Sequence, residues 1–148
     1  EAEVSATKVG ATRELAHVEA RYYDAINSTP RSLSATLSAR AVEGEAEARA
    51  SEVREVMEEV LSLIATEKQK MAVSLKDRGD SEGASRVMKQ SAQLLKSAAK
   101  RYKSKKLDSL SSEAEEEAEE VKQTGADWAR SRKMMRRKAH KATSQQAY

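Results

Sequence analysis

The chain has 148 residues and a net charge of +3, is 39% hydrophobic and 34% charged, and contains neither Cys nor Phe. The lack of Cys excludes disulfides, thiol catalysis and cysteine-ligated zinc, and the lack of Phe leaves the core to Ala, Val, Leu, Ile and Met. No apolar run approaches the roughly 20 residues needed to cross a bilayer, and the N-terminus lacks the basic-then-apolar pattern of a secretory signal.

From Glu14 to Tyr23 the residues alternate, with Ala16, Val18, Ala20 and Tyr22 on one side and His17, Glu19 and Arg21 on the other. That is the period of a half-buried strand. After the turn-forming run Asn27-Ser28-Thr29-Pro30 the alternation resumes with Leu33, Ala35, Leu37, Ala39 and Ala41. The pair reads as an antiparallel β-hairpin over residues 14–42, with Val18 and Tyr22 on the face of Leu33 and Leu37. Two strands alone are marginal in water, so this apolar face is expected to be covered. Val4 to Lys8 is a candidate edge strand.

Past Gly44 the period changes. Val53, Val56, Met57, Val60, Ile64, Met71 and Leu75 recur at three- and four-residue intervals, which predicts one long amphipathic helix with this stripe as its buried side. It should stop near Asp77-Arg78-Gly79-Asp80, with Gly79 left-handed and Asp80 or Ser81 capping the next helix. That helix carries Ala84, Val87, Met88, Leu94, Leu95, Ala98 and Tyr102 as its core side. A third runs from about Leu107 to Val121 with Leu110, Ala114 and Ala118, and a fourth starts near Ala126 with Trp128, Met134, Met135 and Ala139. The chain thus divides into a strand segment at 1–43, a bundle of about four helices at 44–143 and a flexible tail at 144–148. The fold class is α+β, mainly α.

Six Glu lie between Glu113 and Glu120 and seven Lys or Arg between Arg130 and Lys141. The basic surface comprises Arg130, Arg132, Lys133, Arg136, Arg137, Lys138 and Lys141. Such a block can neutralise the phosphates of nucleic acid or an anionic membrane. Pairing with the acidic helix before it is the preferred reading, with Glu113, Glu116, Glu117 and Glu120 meeting Arg130, Lys133 and Arg137 across the Thr124-Gly125 break.

Other motifs are better read as local structure. Arg78-Gly79-Asp80 matches an integrin-binding tripeptide but also suits a turn between helices, and Asn27-Ser28-Thr29 is a formal glycosylation acceptor followed by a disfavouring Pro30. His17 and His140 have no convergent second ligand, so no metal is expected. No Ser-His-Asp set, phosphate-cradling glycine loop or paired carboxylate on a rigid loop can be assembled, so catalysis and cofactors are not expected.

Three stretches resemble the C-terminal region of von Willebrand factor A domain proteins of the bacterial and plant type. They are Val18-Glu19-Ala20-Arg21-Tyr22-Tyr23-Asp24 with Leu33 to Val42, like the closing strands of a β-sandwich; Leu75 to Ala84, like that family's helix–Gly-Asp–helix hairpin; and Arg132-Lys133-Met134-Met135-Arg136, like its closing basic helix. Asp108-Ser109-Leu110-Ser111-Ser112 departs from the A domain's Asp-x-Ser-x-Ser metal site, because Leu110 stands where a hydroxyl is required. The resemblance implies that the A domain and further strands lie upstream and that this segment is an accessory scaffold or adhesion platform. Starting at Glu1 rather than Met, the chain reads as an excerpt of a longer protein. The expected partner is another protein or an upstream domain of the same chain, with nucleic acid or a membrane surface ranked behind.

Overall fold

The computed structural model describes residues 8–144. They form a two-stranded antiparallel hairpin followed by five helices, an α+β chain that is mostly α. The chain splits into two compact units, Glu1–Glu52 and Val53–Tyr148.

The first unit is built on β1 (Thr12–Asp24) and β2 (Thr29–Arg40). Val18 lies opposite Ala35, Ala16 opposite Leu37 and Ala20 opposite Leu33, so Val18 and Tyr22 do share a face with Leu33 and Leu37. A register shift between Glu14 and Ala16 makes Leu15 the extra residue of a bulge. The loop is Ala25–Ser28, two residues earlier than its Asn-Ser-Thr-Pro sequence suggests, and Pro30 sits within β2 opposite Tyr23. Asp24 organises the loop: one carboxylate oxygen accepts from the backbone N–H of Ile26 (3.0 Å) and Asn27 (3.1 Å), the other from Asn27 Nδ2 (2.7 Å) and Arg31 Nε (3.1 Å). Asn27 and the other donors hold this carboxyl below the usual carboxylate range.

The expectation of a half-buried hairpin is corrected. Val18, Leu33 and Leu37 are 58%, 63% and 60% exposed, and only Asp24 among the strand residues is even half-buried. Alternation records which residues share a face, whereas burial needs a second layer. Of the candidate edge strand, Val4 to Thr7 lie outside the described residues and Lys8 is not in a strand.

The first unit also holds α1 (Glu45–Ala50), which ends where Ser51 Oγ donates to the carbonyl of Ala48 at 2.7 Å. The long helix expected from Gly44 onward is therefore two helices with a break at 51–53.

The second unit is an up-down-up-down bundle of α2 (Arg54–Asp77), α3 (Ser81–Tyr102), α4 (Lys105–Glu120) and α5 (Gly125–Ser144). Lys106 meets Glu59 and Gln69 meets Glu117, so α2 and α4 run parallel; Lys89 meets Glu119 and Lys96 meets Glu115, so α3 runs against α4. Small residues let the helices approach closely: Ala72, Ala84 and Ala118 are fully buried. Leu95, Leu107, Met88, Val121 and Met135 fill the core around them.

The turn between α2 and α3 follows its residues. Gly79 has φ +92°, its N–H bonds the Lys76 carbonyl at 2.9 Å, and the Asp80 N–H reaches back to Leu75 at 3.0 Å. This double closure satisfies the last carbonyls of α2. The Asp80 carboxylate then accepts from the Gly83 N–H at 2.7 Å and caps α3. Lys103, at φ 49°, and Ser104 repeat the device between α3 and α4, with Ser104 Oγ accepting from the Leu107 N–H at 3.2 Å. Gly79→Val should destabilise the bundle by about 1 kcal/mol or more, because a β-branched residue resists positive φ. Chemical denaturation of the two proteins gives that difference directly.

The second correction concerns α2. Its buried residues are Leu61, Thr66, Gln69, Ala72 and Val73, whereas Val53 (55% exposed), Val56 (56%), Val60 (40%) and Met71 (55%) face away from the bundle. The stripe that periodicity finds is real, but most of it lies on the outer side, and of its members Leu75 packs against the core. Smaller mismatches have the same origin: Leu94 and Met134 are exposed, while Ser91, Leu107, Ser111 and Glu117 are buried. Of the tail, Ser144 still belongs to α5 and 145–148 lie outside the described residues.

Candidate functional site

The basic helix α5 presents Ser131, Met135 and Ala139 to the bundle, with Trp128 half-buried at its start and Lys76 Nζ 5.7 Å from the indole centroid. This phase fixes where every cation goes. Arg132 grips Asp77 at the end of α2 with two nitrogens, Nε to Oδ1 at 2.7 Å and Nη2 to Oδ2 at 2.8 Å, and Arg136 Nη2 adds a contact to Oδ2 at 3.1 Å. Lys138 Nζ lies 3.0 Å from both Glu113 and Glu117 on α4. Arg130, Lys133 and Arg137 point outward beside the exposed Met134 and make no ion pair among the described residues.

The expected pairing of Arg130, Lys133 and Arg137 with the acidic helix is thus corrected. Residues 130, 133 and 137 share a side of α5, but it is not the side of Met135 and Ala139. The acidic helix is answered from several elements: Glu115 by Lys96, Glu119 by Lys89 and Lys122, and Glu113 and Glu117 by Lys138 of α5.

The Arg132 hydrogen bonds hold the Asp77 carboxyl below its usual range, and Asp77 in turn raises the guanidinium. A depressed carboxyl contributes stability that is complete above its unfolded-state value, 3.8, and is lost as pH falls through the lower folded value. Asp77→Asn should therefore cost about 1 kcal/mol near neutrality, as a well-aligned pair does. The difference should vanish in acid, which paired unfolding curves at descending pH would reveal.

Glu117 is the most enclosed of these acids, at 6% exposure. It accepts from Gln69 Nε2 at 2.6 Å as well as from Lys138. Burial pulls the Lys138 ammonium down, but the bonds to Glu113 and Glu117 outweigh it and leave its pKa raised. This network lines a cavity of about 290 Å³ where α4 and α5 part, together with Met88, Ser91, Leu95 and Leu110. The Glu117 carboxylate is thus held by donors from two other helices, α2 and α5.

The hairpin offers the other surface. His17 Nδ1 lies 3.1 Å from Thr36 Oγ1, a cross-strand pair on the polar face, while Leu33, Leu37, Val18 and Tyr22 are exposed on the apolar face. Among the described residues no three His, Asp or Glu gather where a metal ion could sit, and no helix is long and apolar enough to cross a membrane. Arg78-Gly79-Asp80 is accounted for by helix termination and capping.

No protein-family model matches this chain, and comparisons with curated proteins and with solved structures also found no match.

Proposed function

We propose that this chain is a non-catalytic protein-interaction region whose hairpin completes a larger β-sandwich. In this reading the helical unit is an accessory platform, as the resemblance to the C-terminal part of von Willebrand A-type proteins implies. One observation carries the proposal: strands of 13 and 12 residues with alternating sequence expose an apolar face at Val18, Leu33 and Leu37. A two-stranded ribbon of this kind gains stability by adding to another sheet, where backbone bonds supply affinity and the apolar face supplies burial.

The test extends the reading frame upstream of Glu1 and follows hairpin amide exchange in the extended protein. The proposal expects sandwich strands and a metal-binding A domain to be encoded there, with hairpin amides slowed relative to the shorter chain. An upstream frame without them, or amides that exchange equally fast in both, overturns it. Val18→Asp should leave unfolding of the helical unit within about 0.5 kcal/mol of wild type while abolishing that protection, since the site is exposed until a sheet covers it.

The outward cations favour a second reading, an anionic binding surface on α5. Arg130, Lys133 and Arg137 are available without breaking an internal pair. Binding to duplex DNA or phosphatidylserine vesicles should then fall steeply with salt and be lost on changing the three to Glu. Equal binding by that variant sinks this reading.

A further inference from the structure

We propose that the cavity between α4 and α5 binds a small neutral alcohol or phenol, an apolar body carrying one hydroxyl that pairs with Ser91. Among the described residues, Ser91 Oγ is the one enclosed side-chain polar atom with no hydrogen-bond partner. Neighbouring buried hydroxyls are satisfied: Thr66 Oγ1 donates to the Ser62 carbonyl at 2.9 Å and Ser111 Oγ to the Ala92 carbonyl at 3.0 Å. Ser91 has no such bond, and it lines the cavity of about 290 Å³. An unmatched enclosed hydroxyl destabilises the empty protein, and a ligand that meets it removes that cost.

The cavity constrains the rest of the ligand. Met88, Ser91 and Leu95 follow one another at three- and four-residue steps along α3 and form its floor, with Ala65 of α2 and Leu110 of α4 beside them. Such walls take an apolar body. The volume is about twice that of a roughly 150 Å³ cavity that holds benzene, so the body is the size of one or two rings. Among the charged lining residues, Glu113 and Glu117 are matched by Lys138 and Lys141, so the cavity carries no net charge and selects a neutral ligand over a carboxylate or an ammonium. A bare hydrocarbon fills the walls and leaves Ser91 unmet. A hydroxyl meets it in either sense, accepting its proton or donating to its oxygen. Ser91 has no exposed surface, so the ligand reaches it as its neighbour Met88, an unbranched and adaptable side chain, shifts. The site lies within the helical unit and is independent of the sheet-completing role of the hairpin.

Equilibrium dialysis of the full chain against β-naphthol, naphthalene and β-naphthoate tests the idea. The naphthol should bind one per chain, and the naphthoate more weakly. Ser91→Ala should weaken the naphthol about fivefold, the usual net worth of one hydrogen bond, and leave naphthalene unchanged. That variant should melt no lower than wild type, because it removes an unmatched polar group. Ala65→Leu fills part of the cavity and should weaken both ligands. The exposed apolar faces elsewhere on the chain would hold naphthol and naphthalene alike and ignore both substitutions. Naphthol affinity kept in Ser91→Ala, naphthoate binding as tight as naphthol, or both ligands undiminished in Ala65→Leu overturns the proposal. Should Ala65→Leu fail to fold, the Ser91→Ala comparison decides alone.

Discussion

Leu107→Ala should lower the stability of the helical unit by about 3 kcal/mol, within the usual range of roughly 2–5 for deleting a buried Leu side chain. Leu107 has no exposed surface and belongs to the cluster formed with Met88, Leu95 and Val121. It also sits in the first turn of α4, where its N–H is held by Ser104 Oγ, so the backbone is pinned and cannot collapse to fill the space. A core rich in Ala has few long side chains that could swing into the void, which places the cost above a bare transfer term. For a unit of this size each kcal/mol moves the melting temperature by about 4–8 °C, so circular dichroism should show a fall of more than 10 °C. Val60→Ala is the matched control: it trims an aliphatic residue on the outer face and should shift the melt by a small fraction of that. If the two variants melt alike at low concentration, the inside and outside of α2 and α4 have been assigned wrongly.

The contrast shows what could be read from the sequence. The hairpin register was legible because alternation on both sides of a turn admits few pairings, and the Gly79 and Asp80 turn was legible because positive φ and an N-cap leave distinct residue signatures. Which apolar face of α2 looks inward was not. The outer stripe consists of Val, Leu, Ile and Met, whereas the inner one mixes Leu61 and Val73 with Thr66, Gln69 and Ala72 and so has a weaker apolar pattern. Gln69 can be buried because Glu117 accepts its amide, and that partner lies 48 residues away. The ion pairs failed for the same reason: the carboxylate for Arg132 is Asp77, 55 residues upstream, and no local spacing points to it. The break at 51–53 has no Gly or Pro to announce it. The hairpin face and the outer α2 stripe thus keep their periodic apolar residues exposed, Val18, Leu33 and Leu37 on the one and Val56, Val60 and Met71 on the other.

Lys138→Met should cost about 2 kcal/mol, more than any other single charge removed from the surface of the bundle. Met keeps the aliphatic stem, so packing is nearly conserved and the change isolates the ammonium. What remains is the Glu117 carboxylate at 6% exposure with Gln69 still donating to it but without the ammonium, an incompletely compensated buried charge. The full penalty for a broken buried pair is larger, but Lys138 is itself 45% exposed, and solvent screening reduces the loss. Removing a surface cation sets the scale: Lys96, 3.4 Å from Glu115 with both side chains more than half exposed, should cost no more than about 1 kcal/mol when changed to Met. Salt separates them further, because concentrated NaCl should erase the Lys96 effect and leave most of the Lys138 effect standing. Adding Glu117→Gln to Lys138→Met should restore part of the loss, since a neutral amide is less costly to enclose than a carboxylate. Denaturant unfolding of the wild type, the double variant and the single variants Lys138→Met, Glu117→Gln and Lys96→Met at low and high salt supplies the comparison. Additive losses in the double variant, or a Lys138→Met cost no larger than that of Lys96→Met, would show that water reaches Glu117 and that the contact between α4 and α5 is held by Asp77 and the core alone.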